Sequence, residues 1–291
     1  MARFTQQEME YRLESAIRWL EELGVNANNS RLTEYMKLLS VAPSDEEGFV
    51  GLFNAILETN EICDIHEGFR EVQLNDAFIR KLHEYCTGPV EYLKEPKRKH
   101  NQSRDIGFEL AVASQFSRHG FLVEMPLDGV DVATSHGGYK WLIECKRPRY
   151  DHSVRSNVMG AYKQLQRRSE KTSKPNYGVV AVSFTKVIMQ DSLLGVNGAK
   201  TVTEAIAVSL MSKVVERFGR ELRSVSSRPN MVIGLLFRLI LPYWEIENNE
   251  RGTFALYSSV SFYGDGTREI ESFKQLTQAI SENDVSVFTY R

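Results

Sequence analysis

The sequence predicts a mixed α/β protein in three parts: an acidic, all-helical domain over residues 1–92, a basic linker over 93–103, and an α/β domain over 104–291. The core of the last part is expected to run helix, three strands, helix, strand, followed by a C-terminal α/β extension. Three observations carry this expectation. Apolar residues recur at helical spacing through the first domain; the stretch GPVEYLKEPKRKHNQSRD then breaks all periodicity with two prolines and a basic cluster; beyond it, apolar runs of strand length alternate with amphipathic segments.

Taken in order, Met9, Leu13, Ile17 and Leu20 share one face of a helix over Thr5 to Leu23 that closes at Gly24. LTEYMKLLSV, DEEGFVGLFNAILETN and NDAFIRKLHEYC continue the helical pattern. After the linker, DIGFELAVASQFSRHG is a helix by its Ile106, Leu110, Ala113 and Phe116 stripe, stopped by Gly120 and followed at once by the short strand FLVEM. GVDVAT and YKWLIECK flank the turn SHGG as a β-hairpin. HSVRSNVMGAYKQLQRRSEK is a helix with Val154, Val158, Ala161, Tyr162 and Leu165 on one face, and the unbroken apolar run YGVVAVSF is a strand buried on both sides. A long helix over 201–222, a late hairpin from MVIGLLFRLILPYWE and TFALYSSVSFY, and a last helix in SFKQLTQAISE complete the extension.

Composition narrows the function classes. At 42% hydrophobic and 25% charged, the chain has the makeup of a soluble globular protein. The longest apolar run, Met231 to Leu241, is broken by Arg238 and falls short of the roughly 20 residues of a membrane span, so no membrane association is expected. No basic stretch followed by an apolar h-region opens the chain, and three cysteines form no disulfide framework; a reducing, cytoplasmic location is expected. The net charge of -2 hides an asymmetry: residues 1–92 carry 8 Lys+Arg against 17 Asp+Glu, the remainder 28 against 21. Lys140 to Lys174 alone holds ten cations and three anions, the place where a polyanion would be attracted.

The charges inside the hairpin point to chemistry. Alternation puts Trp141, Ile143 and Cys145 on one face of YKWLIECK and Leu142, Glu144 and Lys146 on the other, while the SHGG turn can bring Asp131 near Glu144. Unpaired buried charges cost several kcal/mol. Two carboxylates and an ammonium at one corner instead suit a hard divalent cation with oxygen ligands, plus a compact positive charge for a phosphate or a water.

Asp131, then Glu144-Cys145-Lys146 after twelve intervening residues, within a helix–strand–strand–strand–helix–strand order, resembles the PD-(D/E)XK nuclease superfamily, with its restriction-endonuclease-like αβββαβ core. The likeness spans about residues 103–186, and Val130 stands where the family's name has proline. It implies a metal-dependent endonuclease hydrolysing phosphodiesters, with DNA as the expected substrate and RNA as the alternative. Asp131 and Glu144, with the Cys145 backbone carbonyl, would bind Mg2+ or Mn2+, and Lys146 would position and activate water. Glu109 matches the helical glutamate that completes metal binding in many members, and Gln164 the glutamine on the later helix, where it shares a stripe with Asn157, Gly160 and Arg168. Arg147, Arg149, Arg155, Arg167 and Arg168 are candidates to track the nucleic-acid backbone, or else solvated surface groups. Such modules serve restriction, repair or phage defence; the acidic helical domain would then bind a protein partner, regulate access or self-associate. The alternative function is a catalytically silent nuclease-fold module that binds nucleic acid or assembles with other chains.

Other chemistry-bearing residues carry less. Cys145 points away from Glu144 and Lys146 and reads as a buried structural thiol. Cys63, His66, His83 and Cys86 form two i, i+3 pairs that could surround zinc or simply sit on helix faces. Lys94, Lys97, Arg98 and Lys99 belong to a connector that could bind phosphates. His119, His136 and His152 have no partner spacing that marks a general base, and no Walker loop or dinucleotide fingerprint is present.

Overall fold

Four helices of the N-terminal region are each opened by a polar cap. The Thr5 hydroxyl accepts the Glu8 N–H at 3.2 Å while the Glu8 carboxylate accepts the Thr5 N–H at 2.7 Å, a reciprocal box that starts α1 (Gln6–Glu22). Ser30, Asp45 and Asn75 similarly satisfy the first amides of α2 (Arg31–Ser40), α3 (Glu46–Phe69) and α4 (Asp76–Cys86). The structure, a computed structural model, describes residues 2–90, 102–126, 129–169, 176–190, 204–223, 232–245, 250–261 and 268–281. Most of the expected linker, with Lys94, Lys97, Arg98 and Lys99, lies outside them.

The remaining elements are β1 (Ala2–Thr5), α5 (Gln102–Arg118), β2 (Val123–Glu124), β3 (Val132–His136), β4 (Tyr139–Lys146), a 3-10 turn at Asp151–Ser153, α6 (Val154–Ser169), β5 (Asn176–Ser183), α7 (Thr185–Gln190), α8 (Glu204–Arg223), β6 (Val232–Glu245), β7 (Glu250–Ser261) and α9 (Arg268–Ser281). The fold is mixed α/β, with nine α-helices among the described residues and a seven-stranded sheet ordered β1-β7-β6-β5-β4-β3-β2. The pairs β1/β7, β2/β3 and β3/β4 are antiparallel, and β4/β5 and β5/β6 parallel. No described helix is long and apolar enough to cross a membrane.

Three features were not legible in the pattern. The first domain is not all helix: Ala2–Thr5 pairs antiparallel with Glu250–Thr253, some 250 positions away. A four-residue strand is too short to show a period, and its hydrogen bonds are made with a distant partner. Helix α3 runs to Phe69, beyond the stretch its periodicity suggested; from Leu52 onward it is buried or half-buried nearly all round, Asn54, Glu58 and Asp64 included, so no exposed polar face marks its path. The short α7 follows β5 after Phe184 alone, and Ser183, Thr185 and Lys186, polar in the sequence, are buried there.

Two compact units are distinguishable: Met1–Ser114, Gln190–Glu204 and Ile240–Phe254 in one, Gln115–Met189, Ala205–Leu239 and Ala255–Arg291 in the other. The first is tied by a buried ionic centre. Glu58 accepts from Arg104 Nε at 2.6 Å and lies 3.0 Å from Arg31 Nη2; Arg31 also donates to the Thr87 carbonyl and Ser103 hydroxyl, and Arg104 to the Tyr35 hydroxyl and Pro89 carbonyl. Glu58, Arg31 and Arg104 are all buried, so these partners carry the cost of taking charge out of water.

In the second unit β4 is covered on both faces. Trp141 packs towards the Phe273 ring of α9, centroids 6.0 Å apart, whereas Leu165 of α6 closes on Gly178 of β5, the residue in register with Leu142. Leu142, Glu144 and Lys146 therefore face α6. The β3–β4 hairpin turns through Gly137 and Gly138 at φ 62° and 81°, with His136 paired to Tyr139. A two-residue turn with both central residues left-handed matches strand twist and selects glycine.

Candidate active site

Register builds the site. Val132 pairs with Ile143 at the open end of the hairpin, and Asp131 directly precedes it, so that it comes to the end of β4 that carries Glu144 and Lys146, near them as the hairpin reading anticipated. Asp131 Oδ2 accepts the Cys145 N–H at 2.7 Å, which fixes the carboxylate beside the outgoing strand. Lys146 Nζ lies 3.0 Å from Glu144 Oε2 and 3.9 Å from Asp131 Oδ2. Arg168, from the last turn of α6, donates through Nη1 to Glu144 Oε1.

Electrostatics follow from the burial. The Glu144 side chain is 1% exposed, and burial first, then the neighbouring Asp131 charge, raise its pKa above the usual glutamate range against the pull of Lys146 and Arg168. Burial works against the Lys146 ammonium, but Asp131 and Glu144 more than offset it, so its pKa is raised and the amine stays charged.

Beside this corner an open hollow of about 580 Å³ is lined by Lys146, Ser156, Asn157, Gly160, Lys163, Gln164 and Arg167. Gly160 has open space where a side chain would start. Lys146 thus belongs to both the carboxylate corner and a cationic, hydrogen-bonding recess. Gln164 lines the hollow with its stripe neighbours Asn157 and Gly160, whereas Arg168 of the same stripe donates to Glu144; Arg167 lines it too, with Ser156 and Lys163, which the sequence reading did not single out. Their signal was present in the i, i+3, i+4 spacing of polar residues along α6.

The other anticipated residues have their own surroundings. Arg147 and Arg149 are half-buried and engaged in further interactions, while Arg155 is exposed. The Cys145 side chain is buried, on the strand face opposite Glu144. Glu109 lies in the first unit, where its carboxylate pairs with Lys81 at 2.5 Å. Cys63 and Cys86 are buried thiols, His66 stands tilted against Trp19 with centroids 5.3 Å apart, and His83 is exposed. His119 is bonded to the Gln115 carbonyl at 2.7 Å, His136 packs on Phe121 and His152 stacks on Tyr150.

Among the described residues no group of three or more His, Cys, Asp or Glu side chains is arranged to hold a metal ion. The zinc grouping of Cys63, His66, His83 and Cys86 is not assembled. The Asp131–Glu144 pair is a different case, since magnesium is held by one or two carboxylates with waters and substrate oxygens in its remaining positions. Asp131 and Glu144 bring two carboxylates to the Lys146 corner, oxygen donors of the kind such an ion takes, and the pKa of Glu144 is raised by burial first and then by the Asp131 charge. Compared with protein-family models, with curated protein sequences and with solved structures, the chain matches none.

Proposed function

We propose that the chain is a divalent-cation-dependent nuclease that hydrolyses phosphodiester bonds, with DNA as its expected substrate. One observation carries the reading: Lys146 Nζ lies between two carboxylates, Glu144 at 3.0 Å and Asp131 at 3.9 Å, and the same lysine lines a cationic hollow. The succession α5-β2-β3-β4-α6-β5 agrees with the core order of the PD-(D/E)XK superfamily and adds support.

In this reading Asp131, Glu144 and the Cys145 carbonyl hold Mg2+ or Mn2+. The bound cation supplies Lewis-acid polarisation of the phosphate and acidifies a water. Lys146 would hold a water or a phosphate oxygen with its charged amine. Gln164 orients the scissile group by hydrogen bonding, and Lys163 and Arg167 draw the polyanion into the hollow.

The test is incubation of the purified chain with plasmid, linear and single-stranded DNA and with RNA, in Mg2+, Mn2+ or chelator, beside Lys146→Ala and Asp131→Ala. Cleavage that needs the cation and is lost in both variants supports the enzyme. A second reading, a silent nucleic-acid-binding or assembly module, is favoured by the engagement of both Glu144 oxygens by Lys146 and Arg168. Cation-independent binding of equal strength in wild type and variants, with no cleavage of any substrate, selects that reading. A role in restriction, repair or phage defence, and a partner for the acidic helices, belong to the same proposal.

A further inference from the structure

Glu144 has two carboxylate oxygens, and both accept hydrogen bonds from cationic side chains: Oε1 from Arg168 and Oε2 from Lys146. With Asp131, whose Oδ2 lies 3.9 Å from Lys146 Nζ, these side chains make a charge-neutral quartet of two acids and two bases. The two bases differ in how they are held. Lys146 stands two residues from Glu144 on the same strand and touches both acids. Arg168 comes from α6, is 29% exposed, and sits one helical turn beyond Gln164, which lines the cationic hollow.

A dication set against Asp131 and Glu144 would add two positive charges beside the Lys146 ammonium and the Arg168 guanidinium. Repulsion is relieved most cheaply by the member that is both partly solvated and carried on another element, which is Arg168. A guanidinium released from Glu144 and pivoting about its Cα remains within side-chain reach of the hollow, where Lys163 and Arg167 already present positive charge. Its planar fork suits a phosphate as well as a carboxylate.

Resting on the cation-dependent reading above, we infer that Arg168 is an exchangeable counter-ion. It closes the carboxylate corner in the cation-free chain, leaves Glu144 when a divalent cation binds, and passes to a phosphate of the nucleic acid in the hollow. Cation and polyanion therefore bind with positive coupling, because each favours the released position of the same side chain.

Manganese binding to the full chain, followed by electron paramagnetic resonance of free Mn2+, tests this without any turnover. The proteins are wild type, Arg168→Gln, Arg168→Met, Arg168→Lys and Asp131→Asn, each alone and with a short duplex of hydrolysis-resistant phosphorothioate DNA. The two neutral variants are expected to bind Mn2+ roughly tenfold more tightly than wild type in the absence of DNA. Arg168→Lys should stay near wild type, and the duplex should tighten Mn2+ binding in wild type far more than in the neutral variants. If both neutral variants bind Mn2+ no more tightly than wild type, while Asp131→Asn binds weakly, the exchange is overturned and the cation site stands. If wild type binds no Mn2+, or binds it as Asp131→Asn does, the cation reading and the exchange fall together.

Discussion

The amide of Cys145 donates to the Asp131 carboxylate at 2.7 Å, so the acid that enters the β3 strand also grips the backbone between Glu144 and Lys146. One side chain thereby has a structural duty and a proposed chemical one. The two can be separated by substitution. Asp131→Asn keeps an oxygen acceptor for the amide and removes the charge; Asp131→Ala removes both. Cation-dependent cleavage is expected to vanish in both variants, whereas urea denaturation should show a loss of about 1–3 kcal/mol for alanine, the cost of an orphaned buried donor, and a smaller loss for asparagine. Equal stability of the two variants would show that the amide contact is dispensable.

The buried Glu58 centre should dominate the stability of the helical unit. Glu58→Ala leaves Arg31 and Arg104 buried without their shared carboxylate. Truncating one partner of such a group costs about 3–5 kcal/mol. Glu58→Gln retains an acceptor for Arg104 Nε and is expected to lose less. Circular dichroism against urea measures both, and a cost for alanine under about 1 kcal/mol would mean that water replaces the lost carboxylate.

Hairpin geometry gives a prediction away from the charges. A Cβ at Gly137 would stand 2.6 Å from Ser272 Oγ at a φ of 62°, while at Gly138, φ 81°, it would meet open space. Gly137→Val should therefore destabilise by about 2–3 kcal/mol, combining backbone strain with the clash, and Gly138→Ala by about 1 kcal/mol. Because the hairpin register brings Asp131 to the end of β4 that carries Glu144 and Lys146, Gly137→Val is also expected to lower cleavage without touching the site, read in a plasmid-nicking assay. The reverse order of stabilities would contradict the turn geometry.

The buried thiols predict an alkaline limb. Burial pushes the Cys63 and Cys86 thiols up to about 12, whereas in the unfolded chain a thiol ionises near ~8.5. A raised folded pKa means the native state holds more protons in this window. The stability gained is complete below ~8.5 and is lost as pH climbs towards the folded value, by up to ~1.4 kcal/mol per pH unit for each thiol. Urea midpoints should fall between roughly pH 8.5 and 10, and the Cys63→Ala, Cys86→Ala double variant should show a flatter slope over that interval. An unchanged slope would indicate that neither thiol is shielded from water.

Much of this molecule could be read from its residues because the signals were local. The capped helices, the Gly137-Gly138 turn and the strand Tyr139–Lys146 depend on neighbours within a few positions, and alternation alone put Glu144 and Lys146 on one face. The strand Ala2–Thr5 was invisible for the opposite reason: its partner, Glu250–Thr253, is far along the chain. Glu109 illustrates the same limit in the candidate site. Its sequence position suits a metal ligand, but its carboxylate pairs with Lys81 of α4, a contact that spacing cannot reveal.

By itself, then, the sequence determined which acids and which lysine share a hairpin, since side-chain direction in a strand has period two and the turn residues set the register. Only the tertiary structure decided what neutralises them. Arg168 was legible as a base on a helical stripe, a surface group as readily as a phosphate contact. Packing α6 against β4 brought its guanidinium onto a carboxylate 1% exposed to solvent, where an ion partner is physically required. Burial and partner choice are properties of packed elements, and they emerge only once helix and sheet are set face to face.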